Sequence, residues 1–263
     1  MSVRFLIVSS GLSFITLAGA LGGQSLADHV ASVDNGAVSF HYTARAGVCG
    51  DGERYIRTAR SSYHGSFSNG YSMAPCVFGP VQVRLTVVDR GVTRVQFWVG
   101  ALREREARDL GAVPAAEAAR YLMTIAAQGT PAASSKAIFP AVLADSAIVW
   151  PMLLRIARDV DTRSNKTRQD AMFWLSRFAS GAVVGRRNQP FEDEDDDRGD
   201  ADEDLKVHAV FVLSQLRNGE GVPNLLEVAR SNPSPRVRSH ALFWLGQSGD
   251  PRAIALFEAV LRS

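Results

Sequence analysis

Only two cysteines occur in 263 residues, and that scarcity removes several chemistries at once. A tetrahedral zinc site built on thiolates needs about four ligands, whereas Cys49 and Cys76 stand alone and His64 adds one more side chain between them. No Cys-x-x-Cys pair, Gly-x-Ser-x-Gly elbow, His-Glu-x-x-His or phosphate-binding Gly-x-x-x-x-Gly-Lys is present, so the familiar spacings for redox, acyl-transfer, metalloprotease and nucleotide chemistry are missing. No basic run with interleaved aromatics marks a nucleic-acid surface. These absences favour a protein that is not an enzyme, takes no cofactor and binds no nucleic acid.

One long apolar run is present, and it stands at the start. Arg4 precedes a stretch from Phe5 to about Gly22, followed by Gln24-Ser25-Leu26-Ala27. Short charge, apolar run and small residues are the order of a secretory signal. Residues 1–27 are therefore expected to be a signal peptide, with Asp28 as the new N-terminus and the mature protein periplasmic or extracellular. The alternative is a retained anchor, because the run approaches the ~18 residues that would span a bilayer. No other segment is apolar enough to cross, so no membrane span is expected after cleavage. An even cysteine count in an exported chain favours a Cys49–Cys76 disulfide, worth about 3–4 kcal/mol in the chain-entropy account.

The net charge of +2 conceals an asymmetry. Residues 192–204 hold ten acids and one arginine, a local charge of −9. Asp193, Asp195 and Asp197 alternate in the manner of calcium ligands, but Gly199 stands one place too late for an EF-hand loop and the terminal glutamate is missing. A solvated, disordered insert over about 186–204 is the expectation, since clustered acids repel one another and bury nothing.

Residues 28–112 read as a small β-rich domain. Val38, Phe40 and Tyr42 alternate with small or polar residues, which is strand periodicity. Val81, Val83, Leu85 and Val87 do the same, Asp89-Arg90-Gly91 offers turn chemistry, and Val95, Phe97 and Val99 follow, which predicts a hairpin. A Ser-, Gly- and Tyr-rich stretch from Ser61 to Ser72 suits a loop held by the disulfide.

From Val113 the period becomes helical, and a short line recurs. It reads Ala171-Met-Phe173-Trp-Leu175, then Ala209-Val-Phe211-Val-Leu213, then Ala241-Leu-Phe243-Trp-Leu245, each with a basic residue three places upstream: Arg168, Lys206 and Arg238. Helices opened by proline lie between, with Pro151-x-Leu-Leu-x-Ile-Ala-Arg matching Pro223-x-Leu-Leu-x-Val-Ala-Arg and a further one following Asp250-Pro251, where Asp250 suits an N-cap. Helix pairs repeated at about 30–40 residues bury their faces by stacking on one another. The predicted class is α+β: a disulfide-containing, mostly antiparallel β domain, then an α-helical HEAT-like solenoid over 113–263.

The stretch Arg236-Val-Arg-Ser-His-Ala-Leu-Phe-Trp-Leu-Gly-Gln-Ser-Gly-Asp-Pro251 resembles a bacterial HEAT repeat and is similar to the phycobilisome-lyase-like subclass of these repeats. With Cys76-x-x-Gly79-Pro80-Val81 and Val113-Pro-Ala-Ala-Glu-Ala-Ala-Arg-Tyr-Leu122, the chain from about residue 45 onward resembles exported bacterial HEAT repeat domain-containing proteins, which join a small cysteine-containing β domain to such repeats. The resemblance implies a binding scaffold for an unknown protein partner. It leaves two alternatives: an enzyme or enzyme accessory of the bilin-lyase-like kind, or a structural envelope protein.

Three side-chain sets invite a site. Asp170, His208 and His240 each precede a motif alanine, so regular stacking would line them up as two histidines and a carboxylate. Helix axes ~8–10 Å apart would keep them from converging on one ion at ~2 Å, so no metal site is expected. Arg168, Lys206 and Arg238 form a parallel basic column, the candidate interaction surface, although such cations also pair with turn carboxylates of the adjacent repeat. Trp174 and Trp244, at matching positions, read as core.

Overall fold

The computed structural model describes residues 25–58, 61–64, 76–161, 163–191 and 201–263. The expected signal run up to residue 24, most of the Ser61–Ser72 loop and the acids at 192–200 lie outside the described residues.

Helix α1 (Leu26–Ala31) opens the described chain with a capping box: Ser25 Oγ accepts from the Asp28 amide, and the Asp28 carboxylate accepts from the Ser25 amide at 3.0 Å. Strand β1 (Gly36–Tyr42) buries Val38, Phe40 and Tyr42, the alternation its sequence predicts. It pairs antiparallel with β6 (Val81–Val88), which pairs antiparallel with β7 (Gly91–Val99). The fourth strand, β8 (Arg108–Ala112), joins β1 in parallel, giving the order β7-β6-β1-β8.

The predicted β6–β7 hairpin is present, with its turn one residue earlier than the glycine suggests. Asp89 and Arg90 both take positive φ, at 49° and 63°, the geometry of a two-residue turn that normally selects Asn-Gly. The Asp34–Asn35 segment holds them there: Asp89 N–H donates to Asn35 Oδ1, Arg90 N–H to the Asp34 carbonyl, and the Arg90 guanidinium to the Asp34 carboxylate at 2.6 Å.

A second sheet is built from short strands in the order β4-β3-β2-β5: Ser61–His64, Tyr55–Thr58, Val48–Gly50 and Val77–Phe78. The disulfide is present between Cys49, on β2, and Cys76, just before β5, with Cα atoms 5.3 Å apart. Gly50 lets this sheet approach the first, since a Cβ there would stand 2.4 Å from the Val99 carbonyl oxygen.

The helices follow as α2 (Ala115–Gln128), α3 (Pro131–Leu143), α4 (Trp150–Arg158), α5 (Asn165–Val183), α6 (Ala201–Ser214), α7 (Val222–Ser231), α8 (Pro235–Ser248) and α9 (Arg252–Arg262). Hydroxyl caps start three of them: Thr130 on α3, Ser164 on α5 and Ser234 on α8. Prolines stand where a missing N–H costs no intrahelical bond, at the first or second position of α3, α4, α7 and α8. Pro251 occupies the N-cap of α9, so the expected Asp250 cap acts one residue earlier, with Asp250 Oδ1 accepting from the Arg252 amide at 2.9 Å. Because α6 begins at Ala201, residues 201–204 of the expected disordered insert form its first turn.

The sheets and helices share one continuous core, from Val38 and Phe40 through Leu143 and Phe178 to Phe257. Tyr42, fully buried, donates to the Pro140 carbonyl at 2.6 Å, and burial pushes its phenol well above the usual range. Arg45, 3% exposed, donates to the carbonyls of Val142, Ala147 and Asn188, tying the β region to the α3–α4 turn and to the segment after α5. Phe97 of β7 meets Phe139 of α3 edge to face at 5.5 Å, so the first sheet closes one end of the helical array.

The three motif helices do not stack in chain order. The helix packed along α5 is α8, and the two run antiparallel: Gln169 meets Gly249, Ser176 meets Gly246, and Ser180 Oγ donates to the Ser239 carbonyl at 2.9 Å. By contrast α6 lies parallel to α8, with Arg236 against Glu203 and Asp204, and Phe211 against Trp244 at 5.3 Å. Helix α3 lies parallel to α5, with Ser135 donating to Asp170 and Phe139 stacked on Trp174 at 5.1 Å. Across one layer the order is thus α3-α5-α8-α6. Behind it, α4 and α9 pair antiparallel, through Arg158 on Glu258 and Arg262 over Trp150 at 5.8 Å. The chain-ordered stack that the recurring motif suggests is therefore replaced by two blocks, α2–α5 and α6–α9, that meet at α5 and α8.

Candidate interaction surface

Each motif helix has two apolar sides, and the array shows what each side does. On α5, Thr167, Ala171, Trp174 and Phe178 form one side, all buried and turned toward α3. The equivalent side of α8 is Val237, Ala241, Trp244 and Ser248, turned toward α6 through Trp244. The opposite side, carrying Ser176 on α5 and Gly246 on α8, makes the α5–α8 contact.

In α6 the same two sides exist and one of them is uncovered. Val207, Val210 and Leu213 face the core, and Phe211, 39% exposed, lies against Trp244 at 5.3 Å. Leu205, Ala209, Val212 and Leu216 correspond position by position to Thr167, Ala171, Trp174 and Phe178, and they face solvent: Leu205 is 67% exposed, Val212 49% and Leu216 43%, against 1% for Thr167 and 4% for Trp174. Leu205, Ala209 and Val212 lie four and three residues apart and so share one side of α6, while Leu216 follows two residues past its end with extended backbone. An apolar helix is normally buried on both sides, and terminal repeats normally carry a polar outer face; α6 does neither. Charge brackets the stripe, with Asp202, Glu203 and Asp204 in the first turn and exposed Arg217 just beyond the last.

The basic column is not assembled as expected. The Arg168 guanidinium donates to the Ala157 carbonyl in the last turn of α4 at 3.3 Å. The Arg238 guanidinium donates to the Asn232 and Pro233 carbonyls at 2.7 and 3.1 Å, just past α7. Both place a cation on the carbonyls that close the preceding helix, where the helix dipole favours it. Lys206 pairs instead with Asp202, one turn earlier on its own helix. The antiparallel α5–α8 contact sets Arg168 and Arg238 toward opposite ends of it.

The same reversal disperses Asp170, His208 and His240. His240 lies beside Ser239, which meets Ser180, about 15 Å of helix rise from Asp170. Asp170 accepts from Ser135 and Lys166, while exposed His208 lies 6.1 Å from the Phe211 ring. Among the described residues, no group of three His, Cys, Asp or Glu side chains is placed to hold a metal ion. Trp174 is buried and Trp244 half-buried, both in the interhelical layer.

A cleft of about 470 Å³ lies on the first sheet, lined in part by Ser39, His41, Gln82, Arg103, Arg105 and Asp109. Its chemistry differs from a hydrolase triad, because the Ser39 hydroxyl donates to the Asp109 carboxylate at 3.1 Å rather than to an imidazole. Arg105 stacks over Trp98 at 3.4 Å, and burial followed by the nearby Arg103 lowers its pKa.

Sequence reasoning missed the exposed side of α6 because it read the three motif helices as equivalent and stacked alike. One signal was available: the motif's tryptophan position holds Trp174 and Trp244 in the covered helices and Val212 in α6.

Residues 198–263, the block α6–α9, match the HEAT repeats family. The chain thus contains HEAT repeats, whose general role is protein interaction. No curated protein and no solved structure matches the chain. Among the described residues no helix is long and apolar enough to cross a membrane.

Proposed function

We propose that this protein is an exported, non-enzymatic interaction scaffold whose docking face is the outer side of α6. The exposed side of α6, Leu205, Ala209 and Val212, carries the proposal, because it corresponds to the stacking side of the other motif helices and, among the described residues, no helix lies against it. Export is supported by Arg4 with the following apolar run and by the Cys49–Cys76 disulfide. The cleavage point needs revision within this proposal. A cut after Ala27 would fall inside α1, whereas Ala18-Gly19-Ala20 supplies an A-x-A site upstream that leaves Ser25 and α1 whole.

Crosslinking and affinity capture from the envelope fraction, with wild type beside the Leu205→Glu/Val212→Glu variant, tests the proposal. The expected result is protein association with wild type that the variant loses. Equal recovery from both, or reproducible turnover in a metabolite screen with no protein recovered, overturns it.

A further inference from the structure

We infer that the solvent side of the first sheet binds a small sugar acid, its carboxylate held by arginines of the segment after β7 and its hydroxyls by the strand floor. The site is independent of the docking face proposed for α6, because the first sheet meets the helical layer at α3, the opposite end.

Strand register places the floor. Phe40, Val83 and Phe97 point into the core, so the alternate residues face solvent in rows across the sheet. One row is His41, Gln82 and Trp98. The next is Ser39, Arg84 and Gln96, with Asp109 of β8 beside Ser39. Strands ~4.8 Å apart set His41 about 10 Å from Trp98. Residues 101–107 border these rows, and the cleft of about 470 Å³ lies between segment and floor. Small-ligand sites occupy about 300–1,000 Å³.

The segment is pinned in place. Gln82, 5% exposed, uses both ends of its amide, donating to the Ala101 carbonyl and accepting from the Arg103 amide, each at 2.9 Å. The Arg103 guanidinium reaches the Glu53 carboxylate and the Asp51 carbonyl. Arg105 stacks on Trp98 and donates to the Gly52 carbonyl at 2.7 Å. A wall fixed in this way meets a ligand with little further ordering cost.

Charge at the wall selects an anion. Only Arg103 of its three arginines is held by a carboxylate. Arg84 donates to the Glu106 carbonyl and to Gln96 Oε1, and Arg105 to a carbonyl, all neutral oxygens. Arg103 and Arg84 both repel the Arg105 charge, opposed by Glu53. A carboxylate in the cleft relieves that repulsion and accepts charge-assisted hydrogen bonds.

The opposite wall selects hydroxyls. Asp109 Oδ1 accepts from the Ser39 hydroxyl and the Gly111 amide, each at 3.1 Å, and among the described residues its second oxygen has no donor. His41 lines the same side. Hydroxyl, imidazole and carboxylate together donate and accept, as sugar hydroxyls do, whereas the ammonium of an amino acid only donates.

Calorimetric titration of the purified full chain with galacturonate, glucuronate, galactose, glutamate and sulfate tests the inference, with amide NMR shifts locating the site. One of the two uronates should bind saturably and at least about 10-fold more tightly than galactose, glutamate or sulfate. Its shifts should concentrate at Ser39, His41 and residues 101–107. Arg105→Ala should weaken it by about 10–100-fold, the loss of one charge-assisted hydrogen bond. That variant also loses the stack on Trp98, so Asp109→Asn reads the opposite wall: about 10-fold weaker uronate with no loss of sulfate, which misfolding would not produce. Sulfate as tight as the uronates makes this an unselective anion site and overturns the sugar acid. Glutamate as tight overturns the hydroxyl selection, and no saturable binding of either uronate overturns the site. None of these results bears on the α6 docking face, which Leu205→Glu/Val212→Glu tests separately.

Discussion

Gly246 on α8 meets Ser176 on α5 so closely that a Cβ at 246 would stand 2.3 Å from the Ser176 Cβ. Each residue lies five places beyond its motif alanine, Ala171 or Ala241. The two copies of one helix therefore cross at the same position in each, about an approximate two-fold axis. The flanking contacts, Ser180 with Ser239 and Gln169 with Gly249, map onto one another to within one residue.

A side chain at 246 must push α5 and α8 apart, and overpacking of this kind costs about 1–3 kcal/mol. Gly246→Ser should lower stability by that amount in chemical denaturation. Exchanging the pair, with Ser176→Gly added, should recover most of it because the crossing then holds the same atoms. A double variant no better than the single one would refute the two-fold description of the contact.

Local features were legible in the sequence because local chemistry determines them. Alternation marked β1, β6 and β7, prolines marked helix starts, and the even cysteine count marked the disulfide, whereas the hydroxyl caps Thr130, Ser164 and Ser234 went unread. Packing order was not legible. Ala-x-Phe-x-Leu states that a helix has two apolar sides, but not which neighbour each side takes or in which direction it runs. Small residues at 176 and 246 decide that, together with a connection between α5 and α6 much longer than the α7–α8 turn. The basic and Asp/His columns failed for the same reason, since both assumed parallel stacking through all three copies. The α6 stripe was hidden by its likeness to the core stripes of α5 and α8.

Arg45 supplies a second measurable dependence. It is a buried cation whose partners are carbonyls, those of Val142, Ala147 and Asn188, and burial lowers its pKa while the charge of Asp145 opposes that. Arg45→Ala leaves several buried acceptors unsatisfied, each worth about 1–3 kcal/mol. A loss of at least about 3 kcal/mol is expected, with Arg45→Lys also destabilising because one ammonium cannot span the same acceptors. Wild-type stability in the lysine variant would show that the fork geometry is unimportant.

Asp51 should contribute to acid sensitivity. Burial pushes its carboxyl up, but the backbone N–H groups of Glu53, Tyr55 and Arg54, at 2.8–3.0 Å, outweigh burial and hold it below the usual value. A carboxylate lowered in the folded state stabilises above its unfolded pKa of about 3.9 and loses that contribution as pH falls through the folded value. Asp51→Ala should therefore be less stable than wild type at neutral pH by about 1–2 kcal/mol, with the gap narrowing in titrations below about pH 4. A gap independent of pH would assign the loss to loop packing instead.

If the chain is exported as proposed, α1 argues for a mature N-terminus upstream of Ser25. Leu26 and Val30 are buried, the Leu26 amide donates to Glu117 Oε1 at 2.7 Å, and Ser25 caps the helix through its exchange with Asp28. A chain starting at Asp28 forfeits the cap and the Leu26 side chain, together about 2–4 kcal/mol. A chain starting at Leu21, after Ala18-Gly19-Ala20, keeps both. N-terminal sequencing of exported material should read Leu21 onward, and chains made to begin at Leu21 and at Asp28 should differ in denaturation midpoint in that order. Exported material beginning at Asp28, with undiminished stability, would make α1 a dispensable appendage to α2.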